Sequence, residues 1–259
     1  MGGGTTPLTL TLAGFMVGTV LATFHMPFWW AMPSLGEISL GETLGWTEAV
    51  VFQLAALALV AGAVWWVERR RLGARPRPRP RVGGWARLVH GPWPLLAGGV
   101  ALATLNALTL ALAGHPWGIT WGLTLSGGKA LQAAGYDLAT APFWSGEFQQ
   151  AALAAPLLAD VTAAMDLGLV LGALLGAGLA GRFAPARRIP LRFVAPSLLG
   201  GLLLGYGALI AFGCNIAAYF GGIASTSLHG WLWGLAALLG TPVGLRLRTL
   251  FGVDQAPSC

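Results

Sequence analysis

The sequence predicts an all-α polytopic membrane protein with about six transmembrane helices and two interrupted or re-entrant helical elements. Three observations carry this. Hydrophobic residues make up 56% of the chain and charged residues 9%, whereas soluble domains carry about 25% charged residues. Apolar runs long enough to span a bilayer, which takes roughly 20 residues, recur along the chain. Lys and Arg fall almost entirely in the loops between those runs. The net charge of +6 therefore speaks to topology. A nucleic-acid face would interleave basic residues with ordered elements, so no nucleic acid is expected as a partner. The two cysteines lie far apart and make neither a disulfide framework nor a metal spacing. No cofactor is implied. MGGGTTPLTL has no basic n-region and no small-residue cleavage site, so no signal peptide is expected.

Leu8–Trp30 is the first span, and Phe28, Trp29 and Trp30 suit an interfacial aromatic belt. The link Ser34–Gly45 holds Glu37 and Glu42 and no basic residue. Ala49–Val67 is the second span, closed by Trp65 and Trp66. Glu68–Arg87 follows, with eight Arg and with Pro76, Pro78 and Pro80, a composition that makes an extended linker. Leu95–Ala113 is the third span. His115–Ala134 is too polar and Gly-rich for an ordinary span and reads as an interrupted or re-entrant element. Thr162–Ala180 is the fourth span, followed by Arg182, Arg187, Arg188 and Arg192. Phe193–Phe212 is the fifth. Leu228–Leu245 is the sixth, followed by Arg246 and Arg248.

Between the last two spans the chain stops behaving like a helix. Gly213, Cys214, Asn215, Gly221, Gly222, Ser225, Thr226 and Ser227 stand where a plain span would carry Leu. Small residues let backbones approach, and irregular backbone at membrane depth is tolerated only where protein or a water-filled cavity satisfies it. This predicts a broken helix holding Cys214 in a polar gap. Paired broken segments point to a transporter binding site. Leu8–Val67 contains no second broken element, so the chain reads as one full repeat of an inverted-repeat transporter plus the tail of the other. The expected organisation is a two-helix remnant over 1–67, a cytoplasmic Arg/Pro linker over 68–91, a second repeat over 92–251 and a disordered tail over 252–259 containing Cys259. Cytoplasmic loops are enriched in Lys and Arg. With the linker inside, six spans put all fourteen Arg on the cytoplasmic side together with both termini, and leave Lys129 outside.

Several runs resemble the YeeE/YedE sulfur-transport family. They are GYGALIAFGCN at Gly205–Asn215, GIAS at Gly222–Ser225, SLHGWLW at Ser227–Trp233, HPWGIT at His115–Thr120, GGKALQAAG at Gly127–Gly135 and APLLADVTAAMDLG at Ala155–Gly168. The resemblance implies a bacterial inner-membrane protein of two inverted repeats that passes thiosulfate or a related small sulfur anion along thiols near the pore axis. Cys214 matches the cysteine of the second repeat. The family's first-repeat cysteine runs have no counterpart here, and MGGGTT resembles the residues just after one of them. The expectation is thus an N-terminally truncated chain, a misplaced start codon or a split gene. An alternative reading is a non-transporting half that pairs with a first-half chain or with itself, and a cytoplasmic sulfur-accepting protein is a candidate partner.

A sulfur dianion needs its lost hydration offset without being trapped. Helix N-termini offer unpaired N–H groups and a positive dipole end, and a thiol offers a soft, polarizable partner for terminal sulfur. The expected relay set is Cys214 with Gly213, Asn215, Ser225 and Thr120, with Lys129 attracting the anion at the outer mouth. Each has a plainer alternative. Buried free cysteines are usually small hydrophobes, and Lys129 can snorkel to the interface. Asp160 suits helix capping, whereas Asp166 is the candidate for ion or proton coupling. His229 reads as a backbone-bonding group, and His25 and His115 read as interfacial. Gly172, Gly176 and Gly178 read as helix-packing residues. The competing function class is a membrane sulfurtransferase or thiol-redox protein using Cys214. No CxxC and no nucleotide motif support it, so a non-enzymatic role is expected.

Overall fold

The computed structural model describes residues 6–73, 93–181, 183 and 190–252. The linker from residue 74 to 91, Arg182, Arg187, Arg188 and the tail with Cys259 lie outside the described residues. Six helices there are long and apolar enough to cross a membrane. They are α1 (Thr6–Trp30), α3 (Trp46–Leu72), α4 (Leu95–Ala113), α7 (Val161–Leu179), α8 (Leu191–Ile210) and α9 (Leu228–Leu250). Shorter helices lie between them: α2 (Leu40–Leu44), α5 (Thr120–Ala133) and α6 (Glu147–Ala154).

The second span runs further than expected at its end. α3 stays helical through Arg69, Arg70 and Arg71. The Arg69 guanidinium lies 4.5 Å from the centre of the Trp65 ring, and that of Arg70 lies 4.0 Å from Trp66. Aromatic faces one turn back thus hold the two cations along the helix.

α1 and α8 make the closest helix pair. Gly14 and Gly18 on α1 meet Gly201 and Gly205 on α8. A Cβ at Gly14 would sit 3.2 Å from the Gly201 Cα, and one at Gly205 would sit 2.9 Å from the Phe15 Cα. Four-residue glycine spacing on both helices brings backbone against backbone, which is how helices associate where lipid removes the hydrophobic drive. The Tyr206 hydroxyl ties the pair. It accepts from Trp29 Nε1 at 3.1 Å and hydrogen-bonds His25 Nδ1 at 3.1 Å. Gly172, Gly176 and Gly178 do not pack as expected: a Cβ on any of them would meet nothing within 4 Å among the described residues.

α5 is the centre of the buried core. At 14 residues it is about 21 Å long, short of a hydrocarbon layer about 30 Å thick. It is unbroken internally, so the polar element between the third and fourth spans is a short helix of re-entrant length. Its glycines admit their neighbours: a Cβ at Gly127 would strike Val20 of α1, and one at Gly128 would strike the Trp144 ring. Trp144 is fully buried with Met26, Leu125, Leu138, Phe143 and Leu153. Its Nε1 donates to Thr23 Oγ1 at 3.0 Å, giving the one polar atom of the ring a partner. α4, by contrast, buries no residue.

Candidate functional site

The site is built where α8 ends. Phe212 takes a left-handed φ of 53° and Gly213 a φ of 147°. A Cβ on Gly213 would stand 2.7 Å from the Ala217 Cβ and 2.9 Å from the Ala218 nitrogen, so only glycine suits this position. Cys214 is extended, with φ −83° and ψ −170°, and heads a π-helical turn over Asn215–Gly221. π turns are rare and frequently mark functional sites. The sequence-predicted break is therefore present, with Cys214 at its hinge. The residue is half-buried and the thiol is free.

The backbone of the break is held by its own bonds. Gly213 N donates to Ala208 O at 2.8 Å, Ala218 N to Cys214 O at 2.8 Å, Ser225 N to Gly221 O at 2.9 Å and Ser227 N to Gly222 O at 2.8 Å. His229 acts as expected from its sequence setting: Nε2–H donates to Ala211 O at 2.8 Å, satisfying a carbonyl at the end of α8. Ser227 caps α9, accepting from His229 N. Thr226, one of the small polar residues that interrupt the helix, ties the break to another loop. It is buried at 2% exposure with φ 59°. Its Oγ1 accepts from Gly41 N at 3.1 Å, and its carbonyl accepts from Leu40 N at 2.9 Å. Leu228 N returns a bond to Ile38 O at 3.0 Å. The loop between the first two spans is thereby strapped to the far side of the break.

The second element of the site arrives from α4 and α5. Asn106 of α4 accepts from Trp117 N at 3.0 Å, fixing the loop that leads to α5. A Cβ added at Gly118 in that loop would stand 4.0 Å from the Ala217 Cβ of the π turn. α5 then begins at Thr120 with no side-chain cap. A cleft of about 340 Å³ opens between the two elements, walled by Thr120, Trp121, Phe148, Leu209, Phe212 and Gly213. The Thr120 Oγ1 is buried and has no hydrogen-bond partner among the described residues.

The expected site residues divide accordingly. Gly213 and Thr120 share the cleft, and Cys214 adjoins it in sequence. Asn215 and Ser225 are exposed, and the Ser225 hydroxyl donates to Gly222 O at 3.2 Å. Lys129 is not with them. It lies nine residues beyond Thr120, about 13 Å along the helix, and its Nζ donates to Leu153 O at 2.7 Å and Ala155 O at 2.6 Å. There it neutralises carbonyls at the C-terminal end of α6, where a cation is favoured. Asp160 is a cap, as expected: Oδ1 accepts from Ala163 N at 2.9 Å and Oδ2 from Trp121 Nε1 at 2.8 Å. Asp166 is held apart on α7, facing Gly122 of α5. Among the described residues no three His, Cys, Asp or Glu side chains gather as a metal set.

With this geometry in hand, the comparisons give the chain its relatives. The family described as Sulphur transport matches residues 1–243. The probable transporter YedE of Escherichia coli (strain K12) is 31% identical over 168 residues, which cover 64% of this chain and 40% of that protein. Its counterpart in Salmonella typhimurium is 32% identical over 161 residues, covering 61% and 38%. The thiosulfate transporter TsuA of Spirochaeta thermophila is 33% identical over 118 residues, covering 45% and 33%. The chain thus spans less than half the length of the curated relatives it matches. No solved structure matches it.

Proposed function

Because this chain belongs to the sulphur transport family, we propose that it moves thiosulfate or a related small sulfur-containing anion across the bacterial inner membrane, past the thiol of Cys214. The observation that carries this reading is the meeting of two helix breaks at one cleft: the uncapped start of α5 at Thr120 and the end of α8 at Gly213. An anion in that cleft faces the free amides of a helix N-terminus, where the dipole favours negative charge. The unpartnered Thr120 hydroxyl supplies a donor for a sulfonate oxygen. The Cys214 S–H, one residue past the cleft wall, supplies a weak donor and a soft sulfur for the terminal sulfur of the anion. None of these groups carries a full positive charge. Each holds the dianion loosely enough to release it, which conduction requires. Arg69–Arg71 at the end of α3, Arg192 at the start of α8 and Arg246 and Arg248 late in α9 mark the cytoplasmic side on this reading.

The test is uptake of radiolabelled thiosulfate by cells that lack other routes for it. Expression of this chain is expected to restore uptake. Cys214→Ala, at equal membrane abundance, is expected to return it to the empty-vector level. Uptake by Cys214→Ala equal to that of the unmodified chain removes the thiol from the path.

A further inference from the structure

We propose that Asp166 binds the proton that travels with the anion, so that uptake runs on the proton gradient. The inference deepens the transport reading and rests on it. Asp166 sits in the second turn of α7, a helix long and apolar enough to cross the membrane. Both of its carboxyl oxygens are buried, and among the described residues neither has a hydrogen-bond partner. An ionisable group inside a membrane protein with nothing paired to it is costly, and such groups mark ion and proton pathways.

The surroundings supply no other compensation. α5 crosses α7 at this point. A Cβ on Gly122 would run into Asp166 Oδ2 and would lie 2.7 Å from the Ala163 nitrogen. Glycine at 122 therefore makes the space that the carboxyl occupies. Among the described residues, the elements packed most closely against α7 here are α5 and the turn Leu157–Ala159. Their charged groups, with those of α7 and its cap, are Lys129 and Asp160. Lys129 lies seven residues past Gly122, about 10 Å along α5, and its ammonium is engaged by the Leu153 and Ala155 carbonyls. Asp160 carries the wrong sign, and its oxygens are taken by Ala163 N and Trp121 Nε1. Among the described residues a carboxylate at 166 has no cation and no donor in place of water. The arrangement is that of the neutral, proton-bearing acid.

Position links this proton to the cleft. Gly122 and Thr120 belong to the same first turn of α5, so the acid and the cleft wall are two sides of one helix end. Loss of the proton leaves a bare charge at the crossing and favours a different seat for α5 against α7. Anion affinity in the cleft then depends on the protonation of Asp166. By linkage, the bound anion raises the acid's hold on its proton equally. The pairing has a purpose. A dianion entering a cell moves against an inside-negative potential, and each proton carried with it cancels one of its charges.

The experiment uses the full chain in proteoliposomes, with the membrane potential clamped and an inward acid gradient of about one pH unit. One coupled proton then raises the thiosulfate accumulation ratio by up to about tenfold. The ratio with gradient to that without is expected to collapse to one in Asp166→Asn and to be kept in Asp166→Glu, which retains the carboxyl. An Asp166→Asn chain that still responds fully to the gradient overturns the coupling. A second readout needs no transport: infrared difference spectra on alkaline titration are expected to show loss of a protonated-carboxyl carbonyl band in the unmodified chain. Absence of that band overturns the proton site even should Asp166→Asn fail to fold. A chain that shows the band but moves no thiosulfate overturns the transport reading, and the coupling falls with it.

Discussion

Replacing Gly18 by alanine adds one methyl group to one of the tightest helix contacts among the described residues. The new Cβ would run into the Leu202 carbonyl oxygen and stand 2.9 Å from both the Leu202 carbonyl carbon and the Tyr206 nitrogen. Ordinary contact begins near 3.4 Å, so α1 and α8 must part by at least half an ångström. The obstructing atoms are backbone and cannot turn aside. Overpacking of this kind costs about 1–3 kcal/mol. Against it stands the gain from removing a helix glycine, about 1 kcal/mol. The net expectation is a loss of up to about 2 kcal/mol. Gly172→Ala is the control, because a Cβ there meets nothing within 4 Å and only the propensity gain remains. Thermal unfolding of the detergent-solubilised protein, followed by tryptophan fluorescence, is expected to rank the chains Gly172→Ala, unmodified, Gly18→Ala. Thiosulfate uptake is expected to fall in Gly18→Ala too, since α8 carries Gly213 and Cys214 at its end. A Gly18→Ala chain as stable as Gly172→Ala refutes the reasoning, because it means the two helices are free to separate at no cost.

Two further outcomes follow from individual hydrogen bonds. Asp160→Ala removes the cap on Ala163 N and the acceptor of Trp121 Nε1, and is expected to lower stability by about 1–2 kcal/mol; Asp160→Asn, which keeps an acceptor oxygen, is expected to recover part of this in the same unfolding assay. Thr226→Ala leaves the buried Gly41 N–H without its acceptor and is expected to cost about 1–3 kcal/mol. Hydrogen exchange is expected to accelerate at the Gly41 amide in that variant and to stay slow in Thr226→Ser.

What the sequence made legible was governed by local rules. The ends of α4 fall where hydropathy puts them, because a helix facing lipid is bounded by hydrocarbon thickness. The Asp160 cap was readable because its partner Ala163 N lies three residues on, and the His229 backbone bond because the residue stands beside the end of a broken helix, where carbonyls lack partners. The break at Cys214 was readable because Gly-Cys-Asn cannot continue an apolar helix at no cost. Long-range pairings were not. Lys129 reaches carbonyls 24 and 26 residues away, and no spacing announces that. Thr226 meets Gly41 across 185 residues. The glycine packing was misplaced although its signal was there. Gly14–Gly18 and Gly201–Gly205 share a four-residue spacing, but so do Gly168, Gly172 and Gly176. Only the partner surface separates the sets.

The break is rigid where it is bonded and open in only a few groups, and this bears on how it works. In hydrocarbon each orphaned amide or carbonyl costs several kcal/mol, so an interruption of a spanning helix survives only if its backbone is nearly all paired. Here amides of Gly213, Ala218, Ser225, Thr226 and Ser227 find acceptors within the segment, and His229 closes the Ala211 carbonyl. The strap through Leu40, Gly41 and Leu228 fixes the segment from one side, and the α1–α8 crossing fixes it from the other. A disordered gap would let a passing anion capture loose amides and stay. A gap already bonded to itself presents little beyond a free thiol, beside a neighbouring helix start at Thr120 that has no side-chain cap. On the transport proposed above, few, neutral and pre-positioned donors would let an anion shed part of its hydration without finding a place to stop.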